Sequence, residues 1–147
     1  MKPENEAAVQ FPSLSANEAL ARQIAAAFAA QMDPTLEELG DVKTAVSEAV
    51  TNAIVHAYRE QGGTITLDAR LLESGVLRLE ISDRGCGIPD ISQAMQPFFT
   101  TQPEKERSGM GFSVMQSFMD DVQVESEVGR GTTVRMEKRV FEEAVKN

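Results

Sequence analysis

Glu48 and Asn52 stand four residues apart in the string SEAVTNAIVHAY. On a helix, about 100° per residue leaves them roughly 40° apart and one turn (~6 Å) along the axis, on a single flank. A carboxylate beside an amide on a rigid element suits a general base next to a metal-binding oxygen. On this stretch alone, a solvated flank with two ordinary polar residues is the plainer reading. The decision rests on whether the rest of the chain supplies the remainder of a site.

Three glycine groups bear on that. Asp83-Arg84-Gly85-Cys86-Gly87-Ile88-Pro89 follows an apolar alternating run. Glycines at alternate positions let the backbone approach a flat ligand, and Asp83 could accept a hydrogen bond from an amino group such as that of adenine. A simple turn after a strand fits equally well. Ser108-Gly109-Met110-Gly111-Phe112 opens a helical pattern, and free amides at a helix start form a phosphate site. One GxG is weak evidence; the dinucleotide fingerprint and the Gly-Lys-Ser/Thr phosphate loop are both absent, which excludes the usual nucleotide folds. Gly129-Arg130-Gly131-Thr132-Thr133 reads as a hairpin turn, from which Thr132 could offer a hydroxyl to the same flat ligand as Asp83. His56 reads as a helix-flank residue, Cys86 as a small filler, and Phe98 and Phe99 as anchors of a loop.

The elements that must position these groups follow from periodicity. Val42, Val46, Ala49, Val50, Ala53, Ile54 and Ala57 recur at spacings of three and four, which predicts a helix from roughly Asp41 to Gln61. Before it, Glu6 to Leu14 reads as an edge strand around Pro12. Ser15 or Asn17 is expected to cap a helix running to about Gln31, with Leu20, Ile24, Ala27 and Phe28 as its buried stripe. Arg22, the only basic residue there, reads as a solvated charge or as a contact for a partner. Asp33-Pro34-Thr35 is a break, and Glu37, Glu38 and Asp41 load the next helix start with the charge its dipole favours.

Thr64 to Leu72 and Val76 to Ser82 alternate as strands about the turn Glu73-Ser74-Gly75. Ser92 to Arg107 is a polar loop, Gly109 to Met119 a helix with Met110, Val114, Met115 and Phe118 inward. Val122 to Ser126 and Thr132 to Lys138 are the last strands. Hairpins interleaved with helices predict an α+β two-layer sandwich: a mixed, mostly antiparallel sheet with helices on one face. Tight turns between neighbouring strands argue against a doubly wound parallel sheet.

The chain has 147 residues, enough for one domain (1–147) with a real core, and 41% hydrophobic content suits a globular fold. Its net charge of −9 repels nucleic-acid phosphates. One cysteine and one histidine exclude an internal disulfide and cysteine- or histidine-based metal clusters. No signal peptide or membrane span is visible, so the expected setting is cytoplasmic.

Taken in order, E-x-x-x-N, D-x-G-x-G, a polar loop, GxG and G-x-G-T resemble the nucleotide-binding (Bergerat-type) fold of gyrase-type ATPases, Hsp90, histidine kinases and MutL. SEAVTNAIVHAY and PFFTTQPEKERSGMGFSVMQSFMDDV are closer still to the bacterial anti-sigma factor serine kinases, the sporulation anti-sigma F type above all. That resemblance implies ATP/ADP binding with Mg²⁺ on Asn52, Asp83 at the adenine amino group, and Thr132 nearby through water. It implies Gly85 and Gly87 lining the base and ribose. Ser108, Gly109, Met110, Gly111 and Phe112 would cradle phosphates under a lid of about 98–108 that carries Thr100, Thr101, Lys105 and Arg107. Residues from about 140 to 147 would be a polar tail. Glu48 would be the base for a serine on an anti-anti-sigma partner. The other implied partners are a sigma factor and a second copy of the chain. Two rivals remain: a module that sequesters a partner without phosphotransfer, and a stand-alone ATPase of the same fold.

Overall fold

The long helix begins earlier than its apolar stripe suggests, because Thr35 and Glu38 form a reciprocal cap. Glu38 N donates to Thr35 Oγ1 at 3.0 Å, and Thr35 N donates to Glu38 Oε1 at 2.9 Å. Two of the helix's orphan N–H groups are thereby satisfied. The computed structural model describes residues 4–57, 62–88, 90–91, 95 and 111–140. Within them lie β1 (Asn5–Pro12), α1 (Ala16–Ala29), α2 (Leu36–Asn52), β2 (Thr64–Leu72), β3 (Val76–Asp83), α3 (Gly111–Phe118), β4 (Asp121–Glu127) and β5 (Gly131–Arg139).

The strands form one sheet in the order β1-β2-β3-β5-β4. The two-layer α+β expectation holds, with every pairing antiparallel rather than mixed. Alternation sends Ile65, Leu67, Leu77, Leu79, Ile81, Val134 and Met136 into the core, against Val42, Val46, Ala49 and Val50 of α2. The other face carries polar pairs, Arg78–Glu137 at 2.7 Å and Arg135–Glu80 at 2.9 Å. β1 ends on Pro12 at the sheet margin, as expected of an edge strand.

The helix α1 buries Ala21, Ala25, Ala26, Phe28 and Ala29; of the predicted stripe only Phe28 is fully buried. Leu20 is 45% exposed, Ala27 is also exposed, and Ile24 is only half-buried. Small alanines let α1 lie close to α2, a packing gain that overrides the larger side chains. Ser15 takes the cap position without a side-chain bond, and Asn17 instead donates to the Pro12 carbonyl. A 3₁₀ turn (Ala30–Met32) and left-handed Asp33 close α1. In α3, Phe112 and Met115 are buried, but Phe118 is 37% exposed; Met119 takes the inward place. Among the described residues no helix is long and apolar enough to cross a membrane.

Candidate functional site

Glu48 and Asn52 lie on α2 as predicted, both half-buried, with Asn52 its last residue. The α-helix gives way after Asn52, and the last part of the expected run, 58–61, lies outside the described residues. The helix loosens into a π turn, Ala53–Ala57, a local widening that recurs at functional sites. Asn52 reaches the start of α3: a Cβ on Gly111 would stand 2.9 Å from its Nδ2 and 3.1 Å from its Oδ1. Only a residue without a side chain lets the amide lie there. On the other side of Glu48's turn, Ser47 Oγ donates to Glu18 of α1, and Glu18 pairs with Arg22 at 3.1 Å. Arg22 is therefore half of an ion pair rather than a solitary solvated charge.

The loop after β3 forms the second wall. Asp83 ends β3 opposite Thr132 of β5, and both follow the inward-facing alternation of their strands. Asp83 Oδ1 accepts the Gly85 N–H at 2.9 Å. Burial pushes the Asp83 carboxyl above its ordinary value, while backbone N–H groups of Gly85 and Thr132 donate to it and draw it part of the way back. An ionised carboxylate has about four acceptor sites, so capacity remains for a ligand's donor. Thr132 is 9% exposed, and its hydroxyl lies 2.8 Å from Ser126 Oγ.

The glycines of this loop have protein neighbours. A Cβ on Gly85 would meet the Ala57 carbonyl oxygen at 2.2 Å, and one on Gly87 the Glu127 carbonyl oxygen at 2.4 Å. Cys86 N donates to Ala57 O at 2.8 Å, and its half-buried thiol to His56 O at 3.3 Å. The loop after β3 is thus clamped between the π turn that follows Asn52 and the β4–β5 hairpin. An open cavity of about 310 Å³ lies beside it, with Asp83, Ser126, Arg130 and Thr132 among its walls.

Two groups of predicted residues are therefore brought together: Asn52 with Gly111, and Asp83 with Gly85 and Thr132. Phe112 turns its side chain into the core, which leaves only its backbone for a ligand. Thr100, Thr101, Lys105, Arg107, Ser108, Gly109 and Met110, the lid, Phe98, Phe99 and the tail from residue 141 lie outside the described residues. Sequence reasoning missed Ser126 and Ser47. The available signal for Ser126 was a lone polar residue in the inward alternation Val122, Val124, Ser126. Among the described residues no cluster of three or more His, Cys, Asp or Glu could hold a metal.

The model of the histidine kinase-like ATPase domain matches residues 11–138. An anti-sigma F factor of Geobacillus kaustophilus is 54% identical over 136 residues, 92% of this chain and 93% of that protein. One from Caldanaerobacter subterraneus is 54% identical over 140 residues, 95% of this chain and 97% of its own. The chain belongs to the anti-sigma F factor family of histidine kinase-like ATPases. The fold likeness extends to more distant solved structures. The RsbU and RsbW domains of Rv1364c from Mycobacterium tuberculosis superpose with TM-score 0.66 at 18% identity, over 94% of this chain and 32% of that one. The catalytic domain of histidine kinase ThkA gives 0.56 at 17%, over 91% and 97%. Full-length ShkA in complex with AMPPNP gives 0.58 at 20%, over 84% and 30%.

Proposed function

We propose that this chain binds Mg²⁺-ATP, transfers the terminal phosphate to a serine of an anti-anti-sigma partner, and holds an RNA polymerase sigma factor inactive in the cytoplasm, in control of sporulation transcription. The observation that carries the reading is the contact of the Asn52 amide with Gly111, which joins a metal-competent oxygen to a helix start suited to phosphates. The relatives named anti-sigma F factor supply the sigma-factor half.

The residues fit the implied ion. The Asn52 amide lies in space that a Cβ at Gly111 would fill. Magnesium takes few protein ligands beside phosphates and water, so one amide oxygen suffices where no acidic cluster stands among the described residues. When bound, Mg²⁺ would neutralise charge on the phosphates. Asp83 would accept from the adenine amino group, and the rigid loop Asp83–Ile88 would orient the base. Glu48, one turn before Asn52, would take the proton from the partner's serine hydroxyl as that oxygen bonds to the terminal phosphorus of ATP and the bond to the bridging oxygen breaks, releasing ADP. Positioning by α2 keeps the base and the metal ligand in fixed register.

Arg22 is the proposed partner contact: 36% exposed at its side chain and held by Glu18, it presents a cation on an acidic protein. The margin of β1 with Leu14 (60% exposed) and Leu20 of α1 is the proposed homodimer face. The test is incubation with labelled ATP, Mg²⁺, an anti-anti-sigma protein and a sigma factor. The expected result is a phosphoserine on the anti-anti-sigma protein and a sigma complex in pull-down. Sigma capture without phosphoserine would leave a sequestering module; phosphate release without either partner's involvement would leave an ATPase.

A further inference from the structure

β4 turns Val122, Val124 and Ser126 inward, and the two valines pack against the core while the serine ends the row beside the loop after β3. The single Ser126 hydroxyl touches three residues in two segments. It accepts the Ile88 N–H at 2.7 Å, lies 3.1 Å from the Gly131 carbonyl to which it can donate, and shares a 2.8 Å hydrogen bond with Thr132 Oγ1. Ile88 lies beyond β3, past left-handed Gly87 (φ 80°), where no sheet ladder holds it. Other contacts join this stretch to the hairpin: Gly129 N donates to Cys86 O at 2.8 Å, Gly87 abuts the Glu127 carbonyl, Gly131 abuts the Asp83 carbonyl, and the Thr132 N–H donates to the Asp83 carboxyl. None of these orients the Thr132 hydroxyl. The β4–β5 and β3–β5 ladders already hold the sheet without Ser126's side chain.

We propose that Ser126 is a positioning residue of the base pocket: its hydroxyl ties Ile88, at the far end of the loop that follows Asp83, to the Thr132 hydroxyl, and so orients that hydroxyl toward the purine edge that Asp83 meets. The inference rests on the adenine-nucleotide reading above. Ser126 need not touch the ligand. Its contribution is preorganisation, which raises affinity by lowering the ordering cost of binding. Without the hydroxyl, the Ile88 N–H loses its partner, and Thr132's hydroxyl loses the bond that orients it.

The deciding measurement is base selectivity. Affinities are measured by calorimetry for ATP and for purine riboside triphosphate, which lacks the 6-amino group, on the parent and on Ser126→Ala. The parent should prefer ATP. Ser126→Ala should weaken ATP by about five- to tenfold and the analogue by no more than about twofold, so that selectivity falls. Equal weakening of both nucleotides, or none, overturns the proposal and leaves Ser126 a general structural residue. Should the alanine variant not fold, Ser126→Cys carries the same comparison with weakened hydrogen bonds. A parent protein that binds neither nucleotide, or binds both alike, would sink the adenine reading itself, a distinguishable outcome.

Discussion

Gly111 lies against the side-chain amide of Asn52, so close that a Cβ on it would stand 2.9 Å from Nδ2 and 3.1 Å from Oδ1. The residue that opens α3 therefore shapes the position of the residue that ends α2. Gly111→Ala should push the amide aside, an easy move for the end of a side chain. Alanine also raises helix propensity by about 0.5–1 kcal/mol over glycine. Thermal stability should stay level or rise while Mg²⁺-dependent ATP binding drops by about tenfold or more. Calorimetry with and without Mg²⁺ reads the binding; unchanged binding would mean that Asn52 has no part in it.

Glu48→Gln preserves the shape of α2 and removes a base. ATP binding should remain within about twofold of the parent, and phosphate transfer to the serine partner should fall by about 10²–10⁴-fold. Single-turnover transfer of labelled phosphate measures it. Transfer at the parent rate would remove Glu48 from the mechanism.

Asp83 yields a pH-dependent prediction whose sign follows from its raised carboxyl. A carboxyl that is harder to ionise when folded favours the folded state below the ordinary value of 3.8. That advantage is lost as pH rises through the folded value, so at pH 7 the buried charge costs stability. Asp83→Asn keeps an oxygen for the Gly85 and Thr132 N–H groups and removes the charge. Its unfolding midpoint at pH 7 should be about 1–3 °C above the parent's, and the gap should close as pH approaches 4. ATP binding should be lost, because the amide matches the adenine amino group poorly. Melts across pH 4–7 would settle the matter, and a gap that widens on acidification would contradict it.

Arg22→Ala breaks an ion pair whose partners are 36% and 22% exposed. Such a pair contributes about 0–1 kcal/mol, so denaturant unfolding should shift by less than that. Glu18 keeps its bond from Ser47 and the packing of α1 on α2 is spared. Sigma-factor capture in pull-down should fall by about tenfold or more. Full capture by a stably folded Arg22→Ala would assign the contact elsewhere.

Much of this was legible because it is local. Period-two runs announced β2, β3, β4 and β5 to within a residue or so, and the Glu48–Asn52 spacing needed only the helical turn. Thr35 and Glu38 marked the true start of α2 as a capping pair, a signal that the apolar stripe from Asp41 obscured. α1 misled: its leucine and isoleucine positions suggested one buried face, whereas the approach of α2 selected the alanine face.

The sequence by itself determined the elements, their hairpin order and the residue types available for chemistry, since each depends on neighbours a few positions apart. Only the tertiary structure decided why particular residues must be what they are. Gly85 and Gly87 admit the Ala57 and Glu127 carbonyls, Gly111 admits the Asn52 amide, and Ser126 bridges Ile88 and Thr132. These close approaches join segments remote along the chain. A missing side chain or a lone inward serine marks each of them, but the atom that fills the space exists only once the chain has folded.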